Sequence, residues 1–447
     1  ESTTTASTGR NSGNGGSKDT IITTGNAMSY SNVVNLTNTN IINSDGFFVF
    51  MNQLFGLDAV DVRSLFDVFE PGTSTVGCDI ETCDQRRIHH SIATENDAVI
   101  NNTVRVVADT GGNNASGTDT YIATGDAYAA ANVTNVANTN IVDANYLMLS
   151  FSNFGDLLGD IVLPSQSLFN KLFSKVGAVT GPTTLDTNNE AMIENTVSAT
   201  ALTGNNTTTG DGTNVIDTGD ATARTNVYNQ VNTNAVNGDS FTMLFRVHGN
   251  WSGSVFGLPE GLTWRETPQG IEISNLSFMT GGQTTQPIGN LRATHDNKAS
   301  IINDVEVVAL TGDNQANGED DNSIATGDAY AAANVTNVAN TNILGRNWSL
   351  LIFDIFGDFE GDITFGRPDL WIGGSASAPK GTGANTSFTY TMTISNLGDT
   401  PATNATLYGS LNSSLISLLE PMTDIELGTI APGETIELDF DAKVAAT

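Results

Sequence analysis

The sequence predicts an all-β protein: tandem repeats of about one hundred residues, each a β-sandwich or β-solenoid unit, followed by a separate β-sandwich. Three observations carry this. The segment Thr124 to Asn140 (Thr-Gly-Asp-Ala-Tyr-Ala-Ala-Ala-Asn-Val-Thr-Asn-Val-Ala-Asn-Thr-Asn) recurs letter for letter from Thr326 to Asn342, with looser copies at Thr218 to Asn234 and Thr24 to Asn40. Upstream of three copies, apolar residues alternate at period two, as in half-buried strands. After Gly373-Gly374 the repeat stops and a different strand-and-turn pattern begins.

Each unit opens on the alternating strand. In unit two it reads Ala98, Ile100, Asn102, Val104, Val106, Ala108 and ends at Thr110-Gly111. Unit three repeats it as Ala191, Ile193, Asn195, Val197, Ala199, Ala201, and unit four as Ala299, Ile301, Asn303, Val305, Val307, Ala309. Aligned on Thr8-Gly9, unit one begins at Glu1 and lacks the positions matching Ala98, Ile100 and Asn102. One expectation is that a neighbouring subunit supplies the rest of that strand by β-augmentation, with Glu1, Ser2, Thr4, Ala6, Thr8 and Gly9 as the acceptor side. The other is a terminal repeat that tolerates a shorter strand.

A polar loop then leads into the signature. Gly125-Asp126 and Gly327-Asp328 suit tight turns, and the alanines at 127, 129 and 131 require a close neighbouring layer. The asparagines at Asn132, Asn135, Asn138 and Asn140, and their copies Asn334, Asn337, Asn340 and Asn342, either stack between coils or serve as turn and edge residues. Apolar segments follow at Tyr146–Phe154, Phe241–Val247 and Trp348–Phe356. They run into Gly155-Asp156-Leu157-Leu158-Gly159-Asp160-Ile161 and its copy Gly357 to Ile363, which read as a β-hairpin with a Gly/Asp turn and as the source of the core, or else an assembly surface. Three- and four-residue apolar spacing predicts short helices over Val60–Phe69 and Ser165–Val176. The resulting divisions are 1–94, 95–187, 188–294 and 295–373 for the repeats and 374–447 for the last domain.

The final domain carries Ser387-Phe388-Thr389-Tyr390-Thr391-Met392-Thr393-Ile394-Ser395-Asn396-Leu397-Gly398-Asp399-Thr400-Pro401-Ala402, and later Leu427-Gly428-Thr429-Ile430-Ala431-Pro432-Gly433-Glu434. These paired motifs resemble the Ig-like repeat domain of bacterial and archaeal surface proteins. The resemblance implies a β-sandwich and a stalk, spacer or assembly role outside the cell.

Composition narrows the function. The chain has 447 residues and a formal net charge of -32, from 49 acidic and 17 basic residues. Phosphate binding needs Lys and Arg clusters that this sequence lacks, so nucleic acid is excluded as an expected partner. No run of eighteen apolar residues is present, and no membrane span is expected. Glu1 opens directly into a Thr/Ser/Gly stretch, consistent with a mature N-terminus after signal removal. Cys78 and Cys83 are read as a local disulfide of an oxidising compartment. A zinc site with His89 and His90, or a free dithiol, are the alternatives.

No hydrolase elbow, phosphate loop, dinucleotide fingerprint or zinc-protease helix occurs, so no catalytic residue is assigned and no enzyme is expected. No cofactor is required. Calcium is the one candidate, on Asp313, Asn317, Asp320 and Asp321, oxygen ligands in a glycine-containing loop. Glycans are possible partners through sequons at Asn35, Asn114, Asn132, Asn206, Asn250, Asn275, Asn334, Asn347, Asn385, Asn404 and Asn412. The expected protein is an extracellular structural subunit that polymerises with copies of itself, head to tail, into a cell-surface filament or surface layer. The competing expectation is a monomeric stalk adhesin binding a host surface or glycan.

Overall fold

The computed structural model describes residues 1–42, 46–53, 58–63, 90–142, 145–153, 155–165, 183–247, 249–259, 262–267, 270–275, 291–377, 383–409, 416–419 and 424–444. The repeats are successive coils of one parallel β-solenoid. This decides between the sandwich and solenoid expectations.

Coil 1 contains β1 (Ser2–Ser7), β2 (Ser12–Asn14), β3 (Thr20–Thr23), β4 (Ala27–Ile42), β5 (Gly46–Gln53) and β6 (Val60–Asp61). Coil 2 contains β7 (His90–Asp109), β8 (Asn114–Gly117), β9 (Thr120–Thr124), β10 (Ala127–Val142), β11 (Asn145–Asn153) and β12 (Ile161–Leu163). Coil 3 contains β13 (Thr183–Leu202), β14 (Thr207–Gly210), β15 (Asn214–Thr218), β16 (Ala221–Val247), β17 (Trp251–Ser252), β18 (Val255–Phe256), β19 (Leu262–Thr267) and β20 (Gly270–Asn275). Coil 4 contains β21 (Leu291–Leu310), β22 (Gln315–Gly318), β23 (Asn322–Thr326), β24 (Ala329–Ala339), β25 (Asn342–Ile355), β26 (Phe359–Glu360) and β27 (Ile363–Phe365). The last domain contains β28 (Leu370–Ala376), β29 (Ser387–Asn396), β30 (Ala402–Leu407), β31 (Ile416–Leu418), β32 (Ile425–Ile430) and β33 (Thr435–Val444).

Equivalent strands stack in register, so that β1, β7, β13 and β21 form one parallel sheet in coil order. β4, β10, β16 and β24 stack likewise. The two sheets face each other across an interior of alanine and valine: Val104, Val106 and Ala108 pack with Ala127, Ala129, Ala131 and Val133. The small signature residues permit that close approach. β1 covers only Val104–Asp109 of β7. Among the described residues, positions 90–103 of β7 have β13 on one side and no strand on the other.

Beyond this thin half lies a thicker apolar core. Leu149, Phe151, Met243, Phe245, Leu351 and Phe353 meet Leu157, Ile161, Leu163, Phe359, Ile363 and Phe365. Phe245 and Phe353 stack with ring centroids 4.5 Å apart. The apolar segments are therefore core. They are not antiparallel hairpins: Ile161 lies beside Ile363 and Val60 in parallel, and Tyr146 beside Trp348. The Gly/Asp turn turns a corner of the coil, because each strand finds its partner in the next coil. The helix expected over Val60–Phe69 opens instead on β6, which pairs with β12, and its remainder past Arg63 lies outside the described residues. The helix expected over Ser165–Val176 also lies outside them, past Ser165.

The coil order changes once. Over Asn234–Val236, β16 lies between β10 and β25. From Asn347 onward, β25 lies between β11 and β16. The exchange gives the end of β16 a free edge, and the antiparallel β19–β20 pair adds to it at Thr242–Phe245. The last domain is antiparallel, with sheets β28-β29-β33-β31 and β30-β32 around Ile394, Ala402, Leu407 and Ile430.

Candidate functional site

The polar interior of the thin half is the most organised feature of the molecule. Asn35, Asn135, Asn229 and Asn337 form one column, each Nδ2 donating to the Oδ1 of the next coil at 2.7, 2.6 and 2.7 Å. Asn40, Asn140, Asn234 and Asn342 form a second, at 2.7, 2.8 and 2.7 Å. The opposite sheet supplies columns Asn102–Asn195–Asn303 and Asn96–Asn189–Asn297. Facing columns are laced together: Asn35 donates to Asn102, Asn102 to Asn135, Asn135 to Asn195, and so on to Asn303 and Asn337. Both hydrogens of each internal amide in these columns are thus used, as burial demands.

Asn38, Asn138, Asn232 and Asn340 form a corner column, with φ of 52°, 54°, 55° and 56°. Asparagine tolerates this left-handed conformation better than other non-glycine residues. Their Nδ2 atoms donate along the column at 2.9, 3.0 and 2.8 Å. All these columns point the same way, from coil 1 to coil 4. The Asn132 column runs in reverse, Asn226 donating to Asn132 and Asn132 to Asn32. The signature asparagines therefore stack between coils. The opening-strand asparagines Asn96 and Asn102 complete the lacing, and their recurrence at Asn189 and Asn195 is the signal of it in the sequence.

Signature acids act as stacking caps. Asp126 Oδ1 accepts the Asp220 N–H at 2.9 Å, and Asp220 Oδ1 the Asp328 N–H at 2.7 Å. Gly125 and Gly327 permit the approach: a Cβ on Gly125 would lie 2.6 Å from the Gly25 carbonyl carbon, and one on Gly327 2.6 Å from that of Gly219.

The structure places two of the expected calcium ligands in the coil stack. Asn317 is taken up in β22 beside Thr209, and the Asp321 carbonyl accepts the Asn214 N–H. No group of three or more His, Cys, Asp or Glu side chains is placed to hold a metal among the described residues. Cys78, Cys83 and His89 lie outside the described residues. Of the expected acceptor side, Ser2, Thr4 and Ala6 lie in β1, Thr8 donates from Oγ1 to the Gly25 carbonyl at 2.8 Å, and Gly9 packs against Gly111. Glu1 is exposed just before β1. Sequons at Asn132 and Asn206 are buried and Asn35 is held in its column, so these three cannot carry glycans on the folded chain. Asn114, Asn250, Asn385 and Asn404 are exposed.

Coil 4 leaves an edge. Among the described residues, β21, β22, β23 and β24 each pair on one side only. Val335 is 38% exposed there, whereas its equivalents Val133 and Val227 are fully buried.

The C-terminal domain is tied to the solenoid through Asp399. Its Oδ2 accepts the Ser165 N–H at 2.8 Å, and its Oδ1 accepts from the Arg367 N–H at 2.9 Å and from Arg63 Nη1 at 3.1 Å. Within the domain, buried Asn396 donates to the Thr400 and Ile430 carbonyls and accepts the Asp369 and Gly398 N–H groups. Asn396 thereby joins the two motifs read in the sequence, and β28 belongs to the same sandwich. No curated protein and no solved structure matches the chain. Residues 367–447 match the CARDB family model, and this part of the chain is a CARDB domain, an Ig-like domain of cell-surface proteins.

Proposed function

We propose that the protein is a non-catalytic structural subunit of an extracellular filament or surface layer, self-assembling head to tail with strand complementation between copies. The observation that carries the reading is the solenoid's uneven end. The β19–β20 pair adds antiparallel strands to the edge of β16, while among the described residues β21 to β24 keep an uncovered parallel edge. An exposed sheet edge is a template for another chain unless it is blunted or covered. The CARDB domain supports placement outside the cell.

Electron microscopy of the purified Glu1–Thr447 chain tests the reading. Regular fibres or sheets are the expected outcome. Isolated rods at every concentration would favour a monomeric stalk adhesin instead.

A further inference from the structure

We propose that the edge of coil 4 formed by β21 to β24 receives β1 to β4 of a second copy of this chain, in the register that relates those strands in neighbouring coils. This deepens the assembly reading and rests on it. Three independent features fit this one occupant.

The first is direction. The main columns donate from coil 1 toward coil 4, so Asn337 and Asn342 end with Nδ2 groups for which no acceptor exists among the described residues. Asn35 and Asn40 begin the same columns with Oδ1 atoms that receive no donor among the described residues. A head-to-tail copy sets Asn337 on Asn35 and Asn342 on Asn40, continuing both ladders. A head-to-head copy would set donors against donors.

The second is charge. Counting from the strand registers, Arg10, Gly112, Asn205 and Asp313 share one column, and Lys18, Thr118, Gly212 and Asp320 another. Stacking places Asp320 over Lys18, and Asp313 over Arg10, whose Nε also donates to Asp109 Oδ2 of coil 2 at 3.0 Å. Asp328 likewise meets Asn26, the one uncharged member of its column, whose N–H it can cap. Asp321 over Asp19 sets like charges together at this contact, and Lys18 stands beside the pair. Asp320 and Asp321, two of the expected calcium ligands, thus face Lys18 at the coil 1 edge.

The third is glycine. In the column Gly9, Gly111, Gly204 and Gly312, a Cβ on Gly204 would lie 2.8 Å from the Thr311 carbonyl carbon, but one on Gly312 meets nothing within 4 Å. Gly25 heads the column of Gly125, Gly219 and Gly327, and its Cβ also meets nothing within 4 Å. Neither Gly312 nor Gly25 has a positive φ. The isolated chain gives these two no reason to be glycine, while a stacked copy gives both the same reason as their column mates. Because the two surfaces differ, the contact is heterologous and builds an open filament.

The test uses sedimentation velocity and electron microscopy on the full chain. Wild type should elongate with concentration. Lys18→Glu or Gly312→Ala alone should raise the concentration needed for assembly at least about tenfold, through like-charge juxtaposition or a blocked approach. The monomer melt of Gly312→Ala should not change. Lys18→Glu combined with Asp320→Lys should recover assembly, which a damaged fold would not do. If the single variants elongate as wild type, or the combined variant fails to recover, the edge assignment is overturned while assembly stands. If wild type stays monomeric throughout, both fall.

Discussion

Asn135 and Asn229 lie 94 residues apart in sequence and 2.6 Å apart in space, amide to amide across one coil spacing. The same Asn135 amide donates across the interior to Asn195 at 3.0 Å and accepts from Asn35 and Asn102. One side chain therefore ties three coils and two sheets. Replacing it with alanine orphans one N–H each on Asn35 and Asn102 and removes one of the two donors from the Asn195 and Asn229 oxygens. Each unsatisfied buried group costs about 1–3 kcal/mol. Asn135→Ala should lower the melting temperature markedly, and hydrogen exchange should show the loss spreading through β7, β10 and β13. Loss confined to coil 2 would contradict the laced-column account.

Glycine at the coil corners separates interior from edge. Gly204→Ala forces a methyl against the Thr311 and Gly312 backbone, so coil spacing must widen there. Overpacking of this kind costs about 1–3 kcal/mol. A thermal melt of Gly204→Ala below assembly concentrations should fall clearly, while the same substitution at Gly312 leaves the melt in place. Equal losses at both positions would show that intrinsic turn conformation, rather than coil contact, governs these sites.

Arg246 and Asp354 form a buried ion pair between coils 3 and 4, with Nη2 to Oδ2 at 2.9 Å and side chains 1% and 0% exposed. Burial holds the Asp354 carboxyl above the ordinary carboxylate value, against the pull of the Arg246 guanidinium. Removing Arg246 strands that carboxylate, a loss of about 3–5 kcal/mol. The raised folded pKa sets the sign with pH. Arg246→Ala should be most damaging at neutral pH, and less so as pH falls and Asp354 becomes neutral. Arg246→Met with Asp354→Leu should regain most of the stability. Chemical denaturation at pH 4 and pH 7 checks both statements.

The sequence made the solenoid's parts legible more readily than their arrangement. Period-two alternation at Ala98 to Ala108 marked a strand because one face is buried, and β7 runs through it. The Gly155 to Ile161 segment looked like a hairpin because turn chemistry is local. Whether the next strand folds back or joins another coil depends on partners some 100 residues away, such as Val60 for Ile161. Repetition of Asn132 to Asn140 left stacking and turn roles equally open, because each amide's partner lies in the next coil. Arg246–Asp354 and Asp399 occur once, so no periodicity could flag them. The exchange of coils 3 and 4 goes with pairing at β20, which has no counterpart among the described residues of the other coils, so repetition does not signal it.

Asp399 predicts how the CARDB domain is held. Asp399→Ala leaves the Ser165 and Arg367 N–H groups and the Arg63 guanidinium without their shared acceptor. Each N–H loses a charge-assisted bond worth about 1.5–3 kcal/mol. The domain's own core, around Ile394 and Ile430, does not involve this carboxylate. The expected outcome is a domain that still folds but swings more freely. Small-angle scattering should show a larger maximum dimension, and proteolysis should cut faster between Phe365 and Leu370. Unchanged scattering and cleavage would mean that other contacts hold the junction.

Burial also predicts where sugar attaches. Glycosylation of an asparagine requires its Nδ2 to reach solvent. Asn206 Nδ2 instead donates to Asn314 Oδ1 at 2.9 Å and to the Thr203 carbonyl at 2.7 Å. Asn132 Nδ2 donates to Asn32 and to Ser152. Sugar there would break a column and could not fit between coils, whereas Asn114, Asn250, Asn385 and Asn404 face outward. Peptide mapping of the protein from its native source should find glycans, where present, at those four and none at Asn132 or Asn206. Because Asn114 belongs to β8 within the stack, sugar at that position should leave the asparagine columns intact and the melt unchanged after enzymatic deglycosylation. Modified Asn132 or Asn206 in folded protein would contradict the coil packing itself, since each Nδ2 already gives both hydrogens to protein acceptors.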